Sequence, residues 1–182
     1  SNANYSAATE ATASLDVMKA AQSIAAFTPI PNKMISDAPF AVAAPVASSG
    51  LPVSMSVKSG SATISNNIMT VTEAGIVTIA ANQPGNDNYN PATEVTTNIV
   101  VLGITSDLKE TIITSGKLMP RYVITNNFDA KEYTARGLPP GIKINKNTGV
   151  ISGKTKKKGT YNVAITATKR DKNKKILQIT IY

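Results

Sequence analysis

The chain has 182 residues, of which 42% are apolar and 16% charged, enough for one large domain or two of about 80–100 residues with packed cores. It contains no Cys and no His, which excludes disulfides, thiol nucleophiles, haem ligation, most zinc sites and imidazole acid–base catalysis. No apolar run reaches the roughly 18 residues of a membrane-spanning helix.

Charge divides the chain into two unlike halves. Residues 1–103 carry three Lys and six Asp or Glu, and residues 104–182 carry sixteen Lys or Arg and five acids. The net charges are therefore −3 and +11, which indicates two domains with a boundary near Gly103. A basic half favours an anionic partner, and the plainer interpretation is a Lys-rich solubilising surface.

The N-terminal segment resembles a later part of the same chain. Ser1–Ala3 is typical of the scar of a cleaved expression tag. Beyond it, NYSAATEAT at residues 4–12 matches NYNPATEVT at residues 88–96 at an offset of 84, the size of a small β domain. Residues 4–17 are therefore predicted to be the last strand of a preceding, truncated repeat, which should pair with an edge, swap between chains or stay mobile. A local helix over the Ala-rich residues 7–26 is the weaker alternative.

From residue 22 onward, short β-type runs alternate with turn residues, and no helical period is present. The strands predicted in the first domain span residues 23–27, 40–44, 53–57, 63–64, 68–71, 76–82 and 93–101. Those in the second domain span residues 111–114, 118–124, 133–135, 142–145, 150–152, 160–168 and 175–181. Seven short strands in about 80 residues are typical of a β-sandwich, so the sequence predicts an all-β protein with two tandem sandwiches. In the first domain, Val77, Ile79 and Ala81 should point into the core, with Ala80 facing out.

Two stretches carry a family resemblance. ARGLPPGIKIN at residues 135–145, followed by TGVISG at 148–153 and GTY at 159–161, resembles the bacterial immunoglobulin-like domains of the He-PIG type, which are related to dystroglycan-type cadherin-like domains. GLPV at 50–53, GIVTIAA at 75–81 and GNDNY at 85–89 are similar to tandem bacterial Ig-like repeats. The predicted organisation is a tag scar at 1–3, a preceding strand with linker at 4–21, and Ig-like domains at 22–103 and 104–182. The resemblance implies a secreted or cell-surface bacterial parent with a spacing, adhesion or ligand-presenting role and no reaction.

The motif residues have predicted structural roles. Turns and close backbone approaches are expected at the motif glycines and prolines: Gly137, Pro139, Pro140, Gly141, Gly149 and Gly153. Tyr161 matches a tyrosine corner, with its ring in the core and its hydroxyl bonded to backbone. Tyr89 is expected beneath a turn that the Asn and Asp side chains of residues 86–88 close.

The basic residues fall into two predicted loops. Lys154, Lys156, Lys157 and Lys158 form a candidate site for an anion or partner. Lys169, Arg170, Lys172, Lys174 and Lys175 should lie at the opposite end and face the acidic first domain, where they would set the interdomain angle. Residues 160–168 separate the loops by roughly 30 Å.

Other sites find little support in the sequence. No nucleophile, phosphate-binding or paired-carboxylate motif is present, so no catalytic residue or cofactor is predicted. Calcium stays open as a minor alternative, because Asn86–Asn88 and the acids Asp107 and Glu110 are too few for its six to eight oxygen ligands. A Lys–Asn isopeptide crosslink also stays open. The absence of Trp and of aromatic residues among the lysines argues against platform-type glycan binding and nucleic-acid binding.

The sequence thus predicts a non-catalytic structural or interaction module whose partners are neighbouring Ig-like domains, with surface polysaccharide or protein as further candidates. The alternatives are an adhesin that contacts acidic polysaccharide through its basic loops, and an accessory region of a large secreted hydrolase. Nucleic acid and membrane insertion are not expected.

Overall fold

The computed structural model describes residues 8–107, 111–169 and 172–182. The described residues form fourteen strands and no helix, which confirms the all-β prediction. In chain order the strands are β1 Lys33–Met34, β2 Phe40–Ala41, β3 Ser54–Ser59, β4 Ala62–Ser65, β5 Ile68–Val71, β6 Gly75–Asn82, β7 Val95–Leu102, β8 Thr111–Ile113, β9 Tyr122–Val123, β10 Glu132–Arg136, β11 Ile142–Ile144, β12 Val150–Gly153, β13 Gly159–Thr168 and β14 Lys172–Ile181.

Each half of the chain contains two sheets. The first half has a four-stranded sheet of order β1-β7-β6-β3 and a three-stranded sheet of order β2-β5-β4. The second half has a four-stranded sheet of order β10-β13-β14-β8 and a three-stranded sheet of order β11-β12-β9. Two separate apolar cores lie between them, one built around Ile79 and Ile99 and the other around Ile165 and Leu177. Burial of both cores is what stabilises a pair of sandwiches in tandem.

Local sequence accounts for much of the first sandwich. Asn66 and Asn67 both have positive φ, 48° and 63°, and form the tight turn between β4 and β5. This conformation suits a two-residue hairpin loop, and Asn tolerates it better than most residues do. The β4–β5 hairpin therefore lies where the sequence predicted it.

Three features of the first sandwich differ from prediction. The strand predicted at residues 23–27 is reduced to an isolated antiparallel bridge between Ile24 and Ala47. β1 was not predicted; it pairs in parallel with the end of β7, with Lys33 opposite Val101. Ala80 is buried although it was predicted to face out. It lies on the central strand β6 between Ser56 and Thr96, and these taller neighbours shield its small side chain.

The N-terminal segment forms no strand or helix between Ala8 and Lys19, and residues 4–7 lie outside the described part. The edge pairing expected of the repeat strand is therefore absent from its described portion. The first backbone pairing in the described part of the chain is instead an isolated parallel bridge between Ala20 and Tyr89. The described part of the chain contains no helix long and apolar enough to cross a membrane.

Candidate functional site: the interdomain junction

The two sandwiches meet at Val101–Ile104, which we call the interdomain junction. Val101 is the last core residue of the first sandwich, and Ile104 is the first of the second. Gly103 between them is buried. A Cβ at Gly103 would lie 2.9 Å from Ala74 Cβ, 3.1 Å from Ile35 Cγ2 and 3.0 Å from Asn173 Nδ2. Glycine is therefore required here by close packing from both domains, not by a left-handed backbone.

Asn127, in the loop after β9, binds the junction through three hydrogen bonds. Its Oδ1 accepts the Gly103 amide at 2.7 Å, and its Nδ2 donates to the Val101 carbonyl at 2.7 Å. Its own backbone amide donates to the Gly103 carbonyl at 3.2 Å. An asparagine of the second domain thus holds the last residues of the first domain's strand β7 in place.

Asn173 binds the junction from the other side. It lies on β14, is 3% exposed, and accepts the Ile104 amide at 3.0 Å through Oδ1. Its Nδ2 is buried and has no hydrogen-bond partner among the described residues. Buried backbone amides must be paired, and Asn173 does this for Ile104 where the junction is shielded from water.

The segment after the junction is also tied to the second domain. Ser106 Oγ donates to the Thr125 carbonyl at 3.2 Å, and Lys175 Nζ donates to the Ser106 carbonyl at 3.2 Å. The Tyr122 hydroxyl donates to the Asp107 carbonyl at 2.8 Å. Burial, together with the nearby Asp107 carboxylate, raises the pKa of Tyr122 above its usual range.

The residues predicted to set the interdomain angle by charge are placed as follows. Lys169 is exposed, Lys174 lines a groove with Glu132 and Arg136, and Lys175 contacts the Ser106 carbonyl. Lys172 is the first residue of β14, and Arg170 lies outside the described residues. The ion pair found in the described part of the chain, Lys58 with Glu94, lies within the first domain. Electrostatic control of the interdomain angle therefore stays a prediction.

The junction asparagines were missed because their role depends on the fold. Asn127 follows the apolar run at residues 122–124, and Asn173 is an uncharged residue inside a Lys-rich stretch. Neither carried a usable signal, because Asn is among the commonest residues in turns and solvated loops. Nothing in the sequence placed either residue beside Gly103.

The second predicted basic site, Lys154 and Lys156–Lys158, lies at the far end of β13 from the junction. All four lysines are exposed. Buried Thr155 fixes the backbone between them, because its carbonyl accepts the Gly116 amide at 2.7 Å and its Oγ1 accepts the Lys157 amide at 3.2 Å. Ser115 Oγ also donates to the Lys156 carbonyl at 2.9 Å. These contacts bring exposed Lys117 onto the same end, so five lysines share one surface, which we call the distal basic loop.

The motif residues of the second domain form its β11–β12 region. Gly137, Gly141, Gly149 and Gly153 all have positive φ. Pro139 is buried, its carbonyl accepts the Ile142 amide at 3.0 Å, and Pro140 is exposed in the same turn. A Cβ at Gly149 would lie 3.0 Å from the Tyr133 ring, so this glycine makes room for a buried aromatic residue.

The two tyrosines of interest behave differently from each other. Tyr89 is half-buried below a turn in which Asn86 Oδ1 accepts the amides of Asn88 and Tyr89 at 2.9 Å, and this turn was predicted. Tyr161 packs against the core, but in the described part of the chain its hydroxyl makes no hydrogen bond and lies over Gly159. The buried tyrosine with a bonded hydroxyl is Tyr133, which accepts a hydrogen bond from Asn126 Nδ2.

The described residues include no group of three or more His, Cys, Asp or Glu side chains that could hold a metal ion. The contacts of lysine ammonium groups within these residues go to Glu94, to the Ser106 carbonyl and to the ring of Phe40. In this part of the chain, no lysine ammonium group thus contacts an asparagine side chain, and the isopeptide crosslink stays untested.

Residues 103–181 match the family described as Putative Ig domain. A search of curated proteins gives no match. Among solved structures, a putative α-galactosidase from Bacteroides fragilis is 26% identical over 44% of this chain and 17% of its own length, with a TM-score of 0.40. The human desmocollin-1 ectodomain is 10% identical over 88% of this chain and 40% of its own, with a TM-score of 0.37. A Bacteroides ovatus protein of a mixed-linkage glucan utilization locus, solved with a heptasaccharide, is 12% identical over 90% of this chain and 48% of its own, with a TM-score of 0.37. The chain thus spans less than half the length of each of these proteins.

Proposed function

We propose that the chain is a non-catalytic spacer module of a large secreted or cell-surface bacterial protein, and the match of residues 103–181 to the Putative Ig domain family supports this. In this proposal, residues 22–103 and 104–182 are two Ig-like domains whose fixed relative orientation holds other parts of the protein apart. The domains contribute length and stiffness, and their partners are the neighbouring domains of the same chain.

The interdomain junction is the observation that carries this proposal. Between Val101 and Ile104 the backbone is bonded to side chains of the second domain at three positions. A flexible linker keeps its backbone groups in water and leaves the domains free to reorient. A junction whose backbone groups are paired to Asn127 and Asn173 instead couples the domain axes, as a spacer requires.

The proposal is tested by measuring how the two domains tumble. We expect ¹⁵N relaxation to give one rotational correlation time for both domains. Replacing the two junction amides, in the double variant Asn127→Ala and Asn173→Ala, should give separate correlation times with both cores still folded. Asn147→Ala is the matched control, since the Asn147 side chain has no hydrogen bond in the described part of the chain. Independent tumbling of the unaltered domains would contradict the proposal.

A second candidate function, adhesion to an acidic polysaccharide, is favoured by the distal basic loop. Lys154, Lys156, Lys157 and Lys158 are exposed on a backbone that buried Thr155 holds in one conformation. Several lysines on an ordered backbone attract an anionic polymer, and the backbone that carries them loses little freedom on binding it.

Retention on immobilised heparin tests this second function. Changing Lys154, Lys156, Lys157 and Lys158 to Ser should abolish any retention that survives physiological salt. The matched control changes four exposed lysines elsewhere on the second domain to Ser: Lys131, Lys143, Lys146 and Lys169. Equal losses in both variants would mean diffuse surface charge, and the spacer function alone would stand. An accessory role beside the catalytic domain of a hydrolase is the remaining alternative, which the sequence of the full-length protein would decide.

A further inference from the structure

The segment that precedes the first domain is held in much the same way as the interdomain junction. The repeat offset of 84 places Lys19 and Ala20 on Gly103 and Ile104. Asn90 Nδ2 donates to the Lys19 carbonyl at 3.1 Å, and the Asn90 amide donates to the Ala20 carbonyl at 2.9 Å. The Ala20 amide in turn donates to the Asn88 carbonyl at 2.8 Å. The backbone at Lys19–Ala20 is thus hydrogen-bonded to the first domain, as the equivalent backbone at Gly103–Ile104 is to the second.

Amide side chains extend these contacts into the first domain. Gln22 Nε2 donates to the Asn90 carbonyl at 2.7 Å and to Gln83 Oε1 at 3.1 Å, and Gln22 Oε1 accepts the Ser49 hydroxyl. Gln83 is 5% exposed and donates to the Pro52 carbonyl at 3.1 Å. Gln83 and Asn90 lie in the loop of the last hairpin, β6–β7, and Asn173 is the second residue of the last strand of the corresponding hairpin, β13–β14. In each domain, side-chain amides of the last hairpin therefore form hydrogen bonds with the segment that enters the domain.

An apolar groove of about 480 Å³ opens at this end of the first domain. Gln83 lies in it, together with Leu51, Pro52, Val53, Pro84 and Gly85. At the interdomain junction, by comparison, the first domain presents the apolar side chains of Ala74 and Ile35 to Gly103. At the interdomain junction, apolar side chains of the preceding domain thus pack beside the hydrogen-bonded linker. Beside the linker at Lys19–Ala20, the apolar surface of the groove is not covered by such contacts among the described residues.

The residues just before this linker have the pattern of a core strand. Leu15, Val17 and Met18 are 86%, 85% and 88% exposed. Their counterparts at the offset of 84 are Ile99 and Val101, which are fully buried, and Leu102 at the end of β7. Three large apolar side chains this exposed are costly in water unless another part of a sandwich covers them.

We propose that the groove is the docking surface of a preceding domain of the same fold, whose last strand contains Leu15, Val17 and Met18. The turn of that domain equivalent to Glu73–Gly75 occupies the groove, while Asn90 and Gln22 hold its linker. This inference rests on the proposed spacer function, to which it adds a second rigid junction, so that at least three domains would share one axis.

The first experiment uses the chain as it is. We expect the Ala20 and Asn90 amides to exchange with solvent at least about tenfold more slowly than in an unstructured peptide, since each donates to a backbone carbonyl. Gln22→Ala should accelerate exchange at Ala20 and leave Ile104 unchanged. Exchange at the peptide rate in the unaltered chain would overturn the inference.

The second experiment supplies the preceding domain. Residues 23–87 of this chain, joined in front of Asn4, recreate a sandwich whose last strand is the natural residues 4–18. We expect the added domain to tumble with the first and to slow exchange at Gly85. Leu51→Asp in the groove should release it, while Leu118→Asp, an exposed position on the second domain, should not.

An added domain that folds but tumbles independently would overturn this inference and leave the Asn127–Asn173 junction, and with it the proposed spacer function, intact. If the added domain does not fold, the exchange rates of Ala20 and Asn90 decide the question alone.

Discussion

Gly153 lies against the backbone of Gly141 where the end of β12 meets the start of β11, and Gly141 in turn lies against the backbone of Lys154. A Cβ at Gly153 would lie 2.2 Å from the Gly141 carbonyl oxygen, and a Cβ at Gly141 would lie 2.2 Å from the Lys154 carbonyl oxygen. Both residues also have positive φ, 88° and 138°. The two glycines of the GLPPG and TGVISG motifs are therefore needed by two adjacent backbone contacts, which bring the turn before β11 onto the end of β12.

Gly153→Ala should lower the free energy of unfolding of the second domain by about 3–5 kcal/mol, through backbone strain and overpacking together. Gly116→Ala separates the two causes, because Gly116 has a φ of 77° but nothing within 4 Å of its Cβ position. We expect this control to cost about 1–2 kcal/mol, the strain alone. Urea denaturation followed by circular dichroism measures both, and equal losses would show that close packing at Gly153 is unimportant.

The buried hydroxyl of Tyr133 depends on Asn126. Asn126→Ala would leave this hydroxyl without its donor and should cost about 1–3 kcal/mol. Tyr133→Phe removes the hydroxyl and leaves Asn126 Nδ2 without its acceptor. The double variant should therefore be more stable than the sum of the two single losses predicts, by about 1 kcal/mol. Strictly additive losses in denaturation experiments would mean that the two side chains stabilise the domain independently.

How far the sequence predicts this structure depends on the range of the contacts involved. The turn at Asn66–Asn67 and the alternation that buries Val163, Ile165 and Ala167 are local properties. The strands on both sides of that turn and the strand at residues 160–168 were accordingly predicted. Strand β1 was not, because it has two residues and exists only by pairing with the distant end of β7.

The same reasoning explains the tyrosines and the junction. Tyr161 was selected for its place after Gly159, yet the hydrogen bond of a buried tyrosine hydroxyl is made by Tyr133, whose partner Asn126 lies in another loop. Asn127 and Asn173 come from different elements and meet only around Gly103. Contacts between side chains that the fold brings together leave no periodic signal in the sequence.

The ion pair between Lys58 and Glu94 should make the stability of the first domain depend on pH. Hydrogen bonds from Lys58 and then Asn82 hold the pKa of Glu94 below its usual value of 4.5. Because the folded pKa is the lower one, the stabilisation is complete above pH 4.5 and is lost as the pH falls through the folded pKa. Lys58→Met should raise the pKa of Glu94, as measured by NMR titration of its side-chain carboxyl. High salt should do the same in part, since both side chains are exposed. An unchanged pKa in Lys58→Met would contradict the assignment.

Gly103 gives the most direct test of close packing at the interdomain junction. In Gly103→Ala the new methyl group would press on Ala74 and Ile35 of the first domain and on Asn173 of the second. Because Ala74 Cβ is too close to accept the methyl group without shifting, we expect a loss of about 1–3 kcal/mol and separate rotational correlation times for the two domains.

Ala74→Gly removes the nearest of the three contacts, at 2.9 Å, so it should restore part of both effects when combined with Gly103→Ala. Alone, Ala74→Gly serves as the control and should leave the domains tumbling together. If the two domains of Gly103→Ala tumble as one body and the stability is unchanged, the junction can accommodate a methyl group at this position. Close packing around Gly103 would then not be the cause of the fixed domain orientation.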